Sequence, residues 1–407
     1  MEFTFPPGFY WGTATAAHQV EGGNVYNDNW VLEHTPGTIY VEPSGDACDH
    51  YHRYREDIAL IAGLGLKVYR FSLEWSRIEP EEGEFSLAAL EHYRRVLAAC
   101  YEHNMTPMVT FHHLTSPRWL AAAGGWEAQE TPEKFARYCE RAIAYLGDLL
   151  PLACTLNEIN LGPLLSFLGV PLNTRASWFN EAASRVGSDA KRFRPFLYAE
   201  PERGRETMLA AHRRAVEVLK AGPGQRQVGV TLALTDIQAL PGGEEMAARA
   251  RHNLQDLYLE ALRDDDFVGV QTYTRQVFGP MGPAQLADNV ERTLMRDEFY
   301  PEALAGTIRY AHQVTGRPIF VTENGIATAN DERRQVYLER ALRGVVDCLN
   351  AGIPVLGYIY WSALDNFEWM FGYRPTFGLI GVNHQTQERT VKPSARWLGR
   401  VAQANGF

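Results

Sequence analysis

Hydrophobic residues along this chain fall into two alternating patterns. Short apolar runs, of the length of strands buried on both faces, occur at Tyr10–Ala16, Lys67–Ser72, Thr106–Phe111, Leu152–Leu156, Gln227–Leu232, Phe267–Tyr273, Pro318–Thr322 and Val355–Trp361. Between them, apolar positions recur at three-and-four spacing, as in Tyr54/Ile58/Ile61, Leu90/Tyr93/Leu97/Tyr101 and Leu338/Leu342/Val345/Leu349. That spacing gives a helix one apolar face. Thr131-Pro132-Glu133 reads as a helix start with a capping hydroxyl before a first-turn proline, and Asn330-Asp331 reads as another. Eight strands alternating with eight helices predict an α/β fold, a single (β/α)8 TIM barrel over residues 1–407, with its site at the C-terminal ends of the strands. The structural alternative is an open doubly wound sheet. It is disfavoured because no glycine-rich phosphate loop follows any strand.

There is no linker and no internal repeat. The stretch least like a strand or helix runs from Asn160 to Gly204 and carries Pro163, Pro171, Pro195 and Pro201. Directly after the fourth strand, it is expected to hang as a long loop over the site. Within it, Pro195–Tyr198 reads as a packed loop rather than a substrate contact.

Composition narrows the picture. At 407 residues and 45% hydrophobic, the chain can bury a large core, and a formal net charge of −10 argues against nucleic acid or an anionic membrane as partner. The five cysteines are scattered without metal spacing, which predicts free thiols in a reducing compartment. The Met1–Pro7 start has no basic region followed by an apolar run, and no later run is long enough to span a bilayer, so the expected location is cytoplasmic. Asp46, Asp49, His50 and His52 could ligate a metal by spacing, but read better as the start of the first helix, with Asp49 as its cap. No metal is expected.

The chemistry lies at the strand ends. The seventh run, Ile319-Phe320-Val321, leads into Glu323, and the fourth ends Thr155-Leu156-Asn157-Glu158. A carboxylate at the lip of a buried strand costs desolvation. Two of them, facing each other across a barrel mouth, are what glycoside cleavage requires: one attacks the anomeric carbon, and the other protonates the departing oxygen and then activates water. Arg70 could hold one carboxylate charged, His112 and His113 supply donors, and Tyr273 supplies a phenol. Trp361 to Trp369 mixes indole with carboxylate, suiting a sugar's apolar face and its hydroxyls.

These segments resemble glycoside hydrolase family 1, the β-glucosidase family, across essentially the whole chain. Phe9 to Gly22 is similar to the family's N-terminal signature, Tyr69 to Ile78 to its second-strand segment, Thr322-Glu323-Asn324-Gly325 to its nucleophile motif, and Trp361 to Trp369 to its sugar-binding motif. The resemblance implies Glu323 as nucleophile and Glu158 as acid/base, with Arg70 and Tyr273 supporting Glu323. It also implies that Gln19, His112, His113, Asn157, Tyr273, Trp361, Glu368, Trp369 and Phe377 bind the substrate, and that no cofactor is needed. Glu368 stands where phospho-β-glycosidases carry groups suited to phosphate, so the sugar is expected to be unphosphorylated. The expected function is therefore a retaining β-glycosidase, most simply a β-glucosidase, acting on a small-molecule β-glycoside.

The chain also departs from the family. Ile159 replaces a proline after Glu158, His113 stands where a tryptophan is usual, Gln271-Thr272 replaces Asn-Tyr, and the connection from Tyr273 to Pro318 is trimmed. By position, Asp297 replaces a tryptophan platform beneath the leaving group. With Trp178, Phe179, Phe193 and Phe196 offered as an apolar wall, the expectation is a preference for bulky or aryl aglycones over a second glucose. Two alternatives remain at this point: a sugar-binding barrel without catalysis, and a transglycosylase using the same two glutamates.

Overall fold

The computed structural model describes residues 3–407, so the first two residues of the N-terminal stretch read above lie outside it. Eight strands form the ring: β1 (Tyr10–Ala14), β2 (Val68–Ser72), β3 (Thr106–His112), β4 (Leu152–Leu156), β5 (Gln227–Ala233), β6 (Phe267–Gln271), β7 (Ile319–Asn324) and β8 (Val355–Trp361). All neighbours are parallel, the order around the ring follows the chain, and β8 closes on β1 with Tyr10 opposite Gly357. Every predicted strand is present, within two residues at each end.

Outside the ring lie α1 (His50–Gly63), α2 (Leu87–Glu102), α3 (Thr131–Leu146), α4 (Pro201–Ala221), α5 (Glu244–Arg251), α6 (Ala303–Thr315), α7 (Asp331–Asn350) and α8 (Pro393–Ala404). Their apolar stripes face inward: Tyr54, Ile58 and Ile61 of α1 and Leu338, Leu342 and Val345 of α7 are buried. Tyr101 of α2 is the exception, half-exposed with its hydroxyl donating to the Leu149 carbonyl. Asn330 caps α7 as expected, accepting from the amides of Glu332 and Arg333.

Two other cap readings are corrected. Thr131 is the first residue inside α3, and its hydroxyl donates to the Gly125 carbonyl instead of capping. Asp49 does precede α1, but in a left-handed conformation (φ 50°) that turns its carboxylate to His52 and Arg53. His50 points inward between Asp57 (2.8 Å) and the Tyr69 hydroxyl (3.0 Å), so the histidines of this segment diverge.

Alternate strand residues fill the barrel interior. Val68, Met108, Leu152, Cys154, Phe267, Phe320 and Ile359 form their own apolar cluster, separate from the larger layer between strands and helices. Gly357 makes room in it: a β-carbon there would meet the Tyr10 carbonyl at 2.5 Å and the Phe320 ring at 2.7 Å.

The Asn160–Gly204 stretch is not a plain loop. It contains helices at Leu161–Phe167 and Ser177–Arg185 and a 3-10 turn at Phe196–Tyr198. A small sheet that the sequence pattern did not reveal joins Asp236–Ala239, Arg275–Gly279 and Gly282–Pro283. No helix among the described residues is long and apolar enough to cross a membrane.

Candidate active site

Strict alternation would have hidden the key carboxylate. Phe320 faces the barrel interior while Ile319 and Val321 pack outward, so a regular strand would send Glu323 outward as well. The register of β7 shifts after Val321 against both β6 and β8. Such a break re-aims the side chains beyond it. Asn324 then turns outward, to the Thr272 carbonyl and to Tyr337 of α7. Glu323 turns inward, where Arg70 Nη1 donates to its Oε1 at 2.6 Å and the Tyr273 hydroxyl to its Oε2 at 2.7 Å.

Two adjacent histidines follow at the end of β3. Met108 is interior, so alternation along β3 would point His112 inward. The His112 ring packs among Trp126, Phe196 and Phe135, with Nε2 bonded to the Ser116 hydroxyl and Nδ1 buried without a protein partner. His113, the next residue, lies nearly parallel to Trp361 and Trp369 with centroids at 5.8 and 6.3 Å. Burial, with the Arg70 charge adding to it, holds His113 well below the usual histidine range, so it is neutral.

Glu158 leaves β4 with φ at 51°, a conformation that costs a non-glycine residue energy. Its amide donates to the Thr231 hydroxyl. Two residues on, Asn160 ties the segment down, donating to the carbonyls of Ala233 and Leu254 and accepting from the Ala233 amide. Glu158 and Glu323 thus reach one cavity of about 210 Å³ from strands three places apart in the ring. Gln19, His113, Gln271, Tyr273, Trp361, Glu368, Trp369 and Phe377 line it with them.

Arg70 and Asn157 sit behind this lining. Asn157 Oδ1 accepts from Arg70 (2.6 Å), Gln271 (2.9 Å) and Thr231 (3.0 Å), which leaves its Nδ2 as the free donor. Gln19 Nε2 is committed to the Phe367 carbonyl, and Trp361 Nε1 donates to Glu368 at 3.2 Å. Gln19 Oε1, His112 Nδ1, His113 Nδ1, Asn157 Nδ2 and Gln271 Oε1 are buried without a protein partner. Such groups are rare in folded proteins, and their concentration here suits a ligand rich in hydroxyls.

The two carboxylates differ in surroundings. Burial raises Glu323, but Arg70 and then Tyr273 pull against it. Burial raises Glu158 well above the carboxylate range, the Glu323 charge raises it further, and only the more distant Arg70 opposes. A proton shared between them therefore resides on Glu158. Glu368 is also pushed well up, by burial first.

The proposed apolar wall is corrected too. Trp178, Phe179, Phe193 and Phe196 are buried in the core, with Phe179 against Phe193 and Tyr198. The wall comes instead from Leu161, Leu164, Leu165 and Leu168, together with Leu197, which the sequence reading had left as mere packing. Their spacing of four and three, starting at Leu161, was the available signal. Asp297 lines the same cavity, as its position implied.

A closed barrel that brings a guanidinium-held carboxylate and a protonated one to the same sugar-sized cavity is a glycoside-cleaving barrel. The chain belongs to glycosyl hydrolase family 1, whose description it matches over residues 1–287 and 271–407. It is 32% identical to "Beta-glucosidase A" of Acetivibrio thermocellus over 468 aligned positions, covering 100% of both chains. Among solved structures it is similar to "beta-glycosidase BGL167" (57% identity, TM-score 0.95, 99% and 98% covered). It is also similar to "a beta-glucosidase 1317" (45% identity, TM-score 0.93, 98% and 99% covered).

Proposed function

We propose that this protein is a retaining β-glucosidase, built as one barrel domain, in which Glu323 is the nucleophile and Glu158 the acid/base. The observation that carries this is the unequal support of the two carboxylates. Arg70 and Tyr273 keep Glu323 ionised and aim it at the anomeric carbon. Glu158 gives its proton to the departing oxygen as the glycosyl–Glu323 bond forms. Once Glu323 is esterified its charge is gone, so the pKa of Glu158 falls and it can take a proton from the attacking water. The two carboxyl groups are expected about 5–5.5 Å apart, as in other retaining enzymes.

In this reading His112, His113, Gln19, Asn157 and Glu368 hold sugar hydroxyls, with Trp361, Trp369 and Phe377 as apolar walls; the unpartnered polar atoms of Gln19, His112, His113 and Asn157 support it. No arginine or lysine among the described residues lines the cavity to hold a phosphate, which supports an unphosphorylated sugar. The leucines of the 161–168 helix support bulky or aryl aglycones. The retained pair of supported carboxylates speaks against a non-catalytic barrel. Five free, buried cysteines support a reducing, cytoplasmic setting.

The test is labelling with a 2-deoxy-2-fluoro glucoside carrying a good leaving group, followed by peptide mapping. Label on Glu323, with retained configuration in the product of an ordinary substrate, is expected; inversion or label elsewhere overturns the assignment.

A further inference from the structure

Asp297 is a charged residue that the proposed chemistry does not use. It lies on a turn fixed by several backbone bonds: the Thr293 amide donates to the Asp297 carbonyl at 2.9 Å, the Arg296 amide to Thr293 at 3.0 Å, and the Leu294 amide to Ala327 at 2.9 Å. Arg296 takes a left-handed conformation (φ 70°) to complete the turn and is itself exposed. The effect is to present Thr293, Met295 and Asp297 to the cavity.

The Asp297 carboxylate makes no hydrogen bond or ion pair with any described residue. Arg275, the arginine tied to the next residue, is already committed to both oxygens of Glu298 at 2.8 Å. Burial pushes Asp297 up to about 6, with no neighbouring charge helping or opposing. At neutral pH the group is therefore an ionised, half-buried carboxylate at the cavity wall. A ligand that takes water away from it must bring a donor in exchange. On the helix side of the same cavity, Leu161, Leu165 and Leu168 form an i, i+4, i+7 stripe that a flat apolar ligand can cover.

We propose that Asp297 determines aglycone specificity: its carboxylate accepts a hydrogen bond from a hydroxyl on the far edge of an otherwise apolar ring system seated against the leucine stripe. The substrate class is then β-glycosides of hydroxylated aromatic aglycones. This deepens the proposed β-glucosidase reading and rests on it. Asp297 is a specificity residue with no part in bond cleavage.

The experiment compares two biaryl β-glucosides that differ only at the position farthest from the glycosidic oxygen, one carrying a hydroxyl and the other a methoxy group. Leaving-group ability is then nearly equal. The wild type should favour the hydroxyl compound in kcat/KM by about 10–100-fold, the worth of a hydrogen bond to a charged group. Asp297→Leu should abolish or invert the ratio, and Asp297→Asn, which keeps an acceptor, should retain part of it. A ratio that is the same in all three proteins, or a wild type with no preference, overturns the proposal. Hydrolysis of 4-nitrophenyl β-glucoside by the wild type reports separately on the underlying activity. Binding of the two free aglycones, read by tryptophan quenching, gives the same ratio without turnover, so loss of activity alone does not stop the test.

Discussion

At the scale of single residues, the active site depends on which way two carboxylates titrate. Glu323 works ionised, so activity is lost as pH falls through its pKa; Glu158 works protonated, so activity is lost as pH rises through its own. The pair gives a bell-shaped profile whose limbs are shared, coupled values. Tyr273→Phe removes a donor that lowers Glu323. Its acid limb should therefore move to higher pH, as read from kcat/KM profiles; an unmoved limb means Tyr273 does not support the nucleophile. Glu158→Ala should separate substrates by leaving group, costing about 10²–10⁴-fold where the leaving oxygen needs a proton and much less for a nitrophenolate. Added azide should restore the nitrophenyl reaction, and equal losses without rescue would move the role elsewhere. Sequence alone pointed to Glu158, Glu323, Arg70 and Tyr273, because each lies within, ends or closely follows a readable strand. The inward aim of Glu323 was not legible: period-two alternation gives the opposite answer there, because the register of β7 shifts after Val321.

Among the elements, strands were more legible than their surroundings. Continuous apolar runs mark strands buried on both faces, and all eight were readable. The Leu161–Phe167 helix was not: it is short, carries Pro163 in its first turn, and is apolar on more than one face, which masks the stripe that begins at Leu161. Its second apolar face looks into the cavity rather than the core. Leu165→Ala trims about three carbons from that wall. This should cost roughly tenfold in kcat/KM for large apolar aglycones, about 1–2 kcal/mol, less than the full ~0.8 kcal/mol per buried methylene because Leu165 is only half-buried. Methyl β-glucoside, too short to reach the wall, should be cleaved as before. An equal loss on both substrates would mean that the helix supports the fold rather than the aglycone.

For the molecule as a whole, the ends of the chain are held to its beginning. Arg389, on a strand at Arg389–Val391, bonds both oxygens of Asp57 on α1 at 2.8 and 3.0 Å, with His50 donating to the same carboxylate. Burial raises Asp57, but the bonds from His50 and Arg389 outweigh it and leave the group below its usual value. A depressed carboxylate stabilises the fold above its unfolded pKa and loses that contribution as pH falls through the folded one. Arg389→Met should thus destabilise by about 3 kcal/mol at neutral pH, the cost of leaving a buried carboxylate with the His50 hydrogen bond alone, with the deficit shrinking below about pH 4. Urea titrations across pH check this; a deficit that does not vary with pH would mean that packing, not charge, is lost. The ring itself closes only when Gly357 meets Tyr10. At 5–20 residues per second, a ribosome needs roughly 20–70 s to make the intervening chain. During that time one edge of the first strand, beside Phe5, Phe9 and Trp11, waits for its neighbour. A stalled transcript that ends before Trp361 would yield an open sheet for chaperones and proteases rather than a slower enzyme.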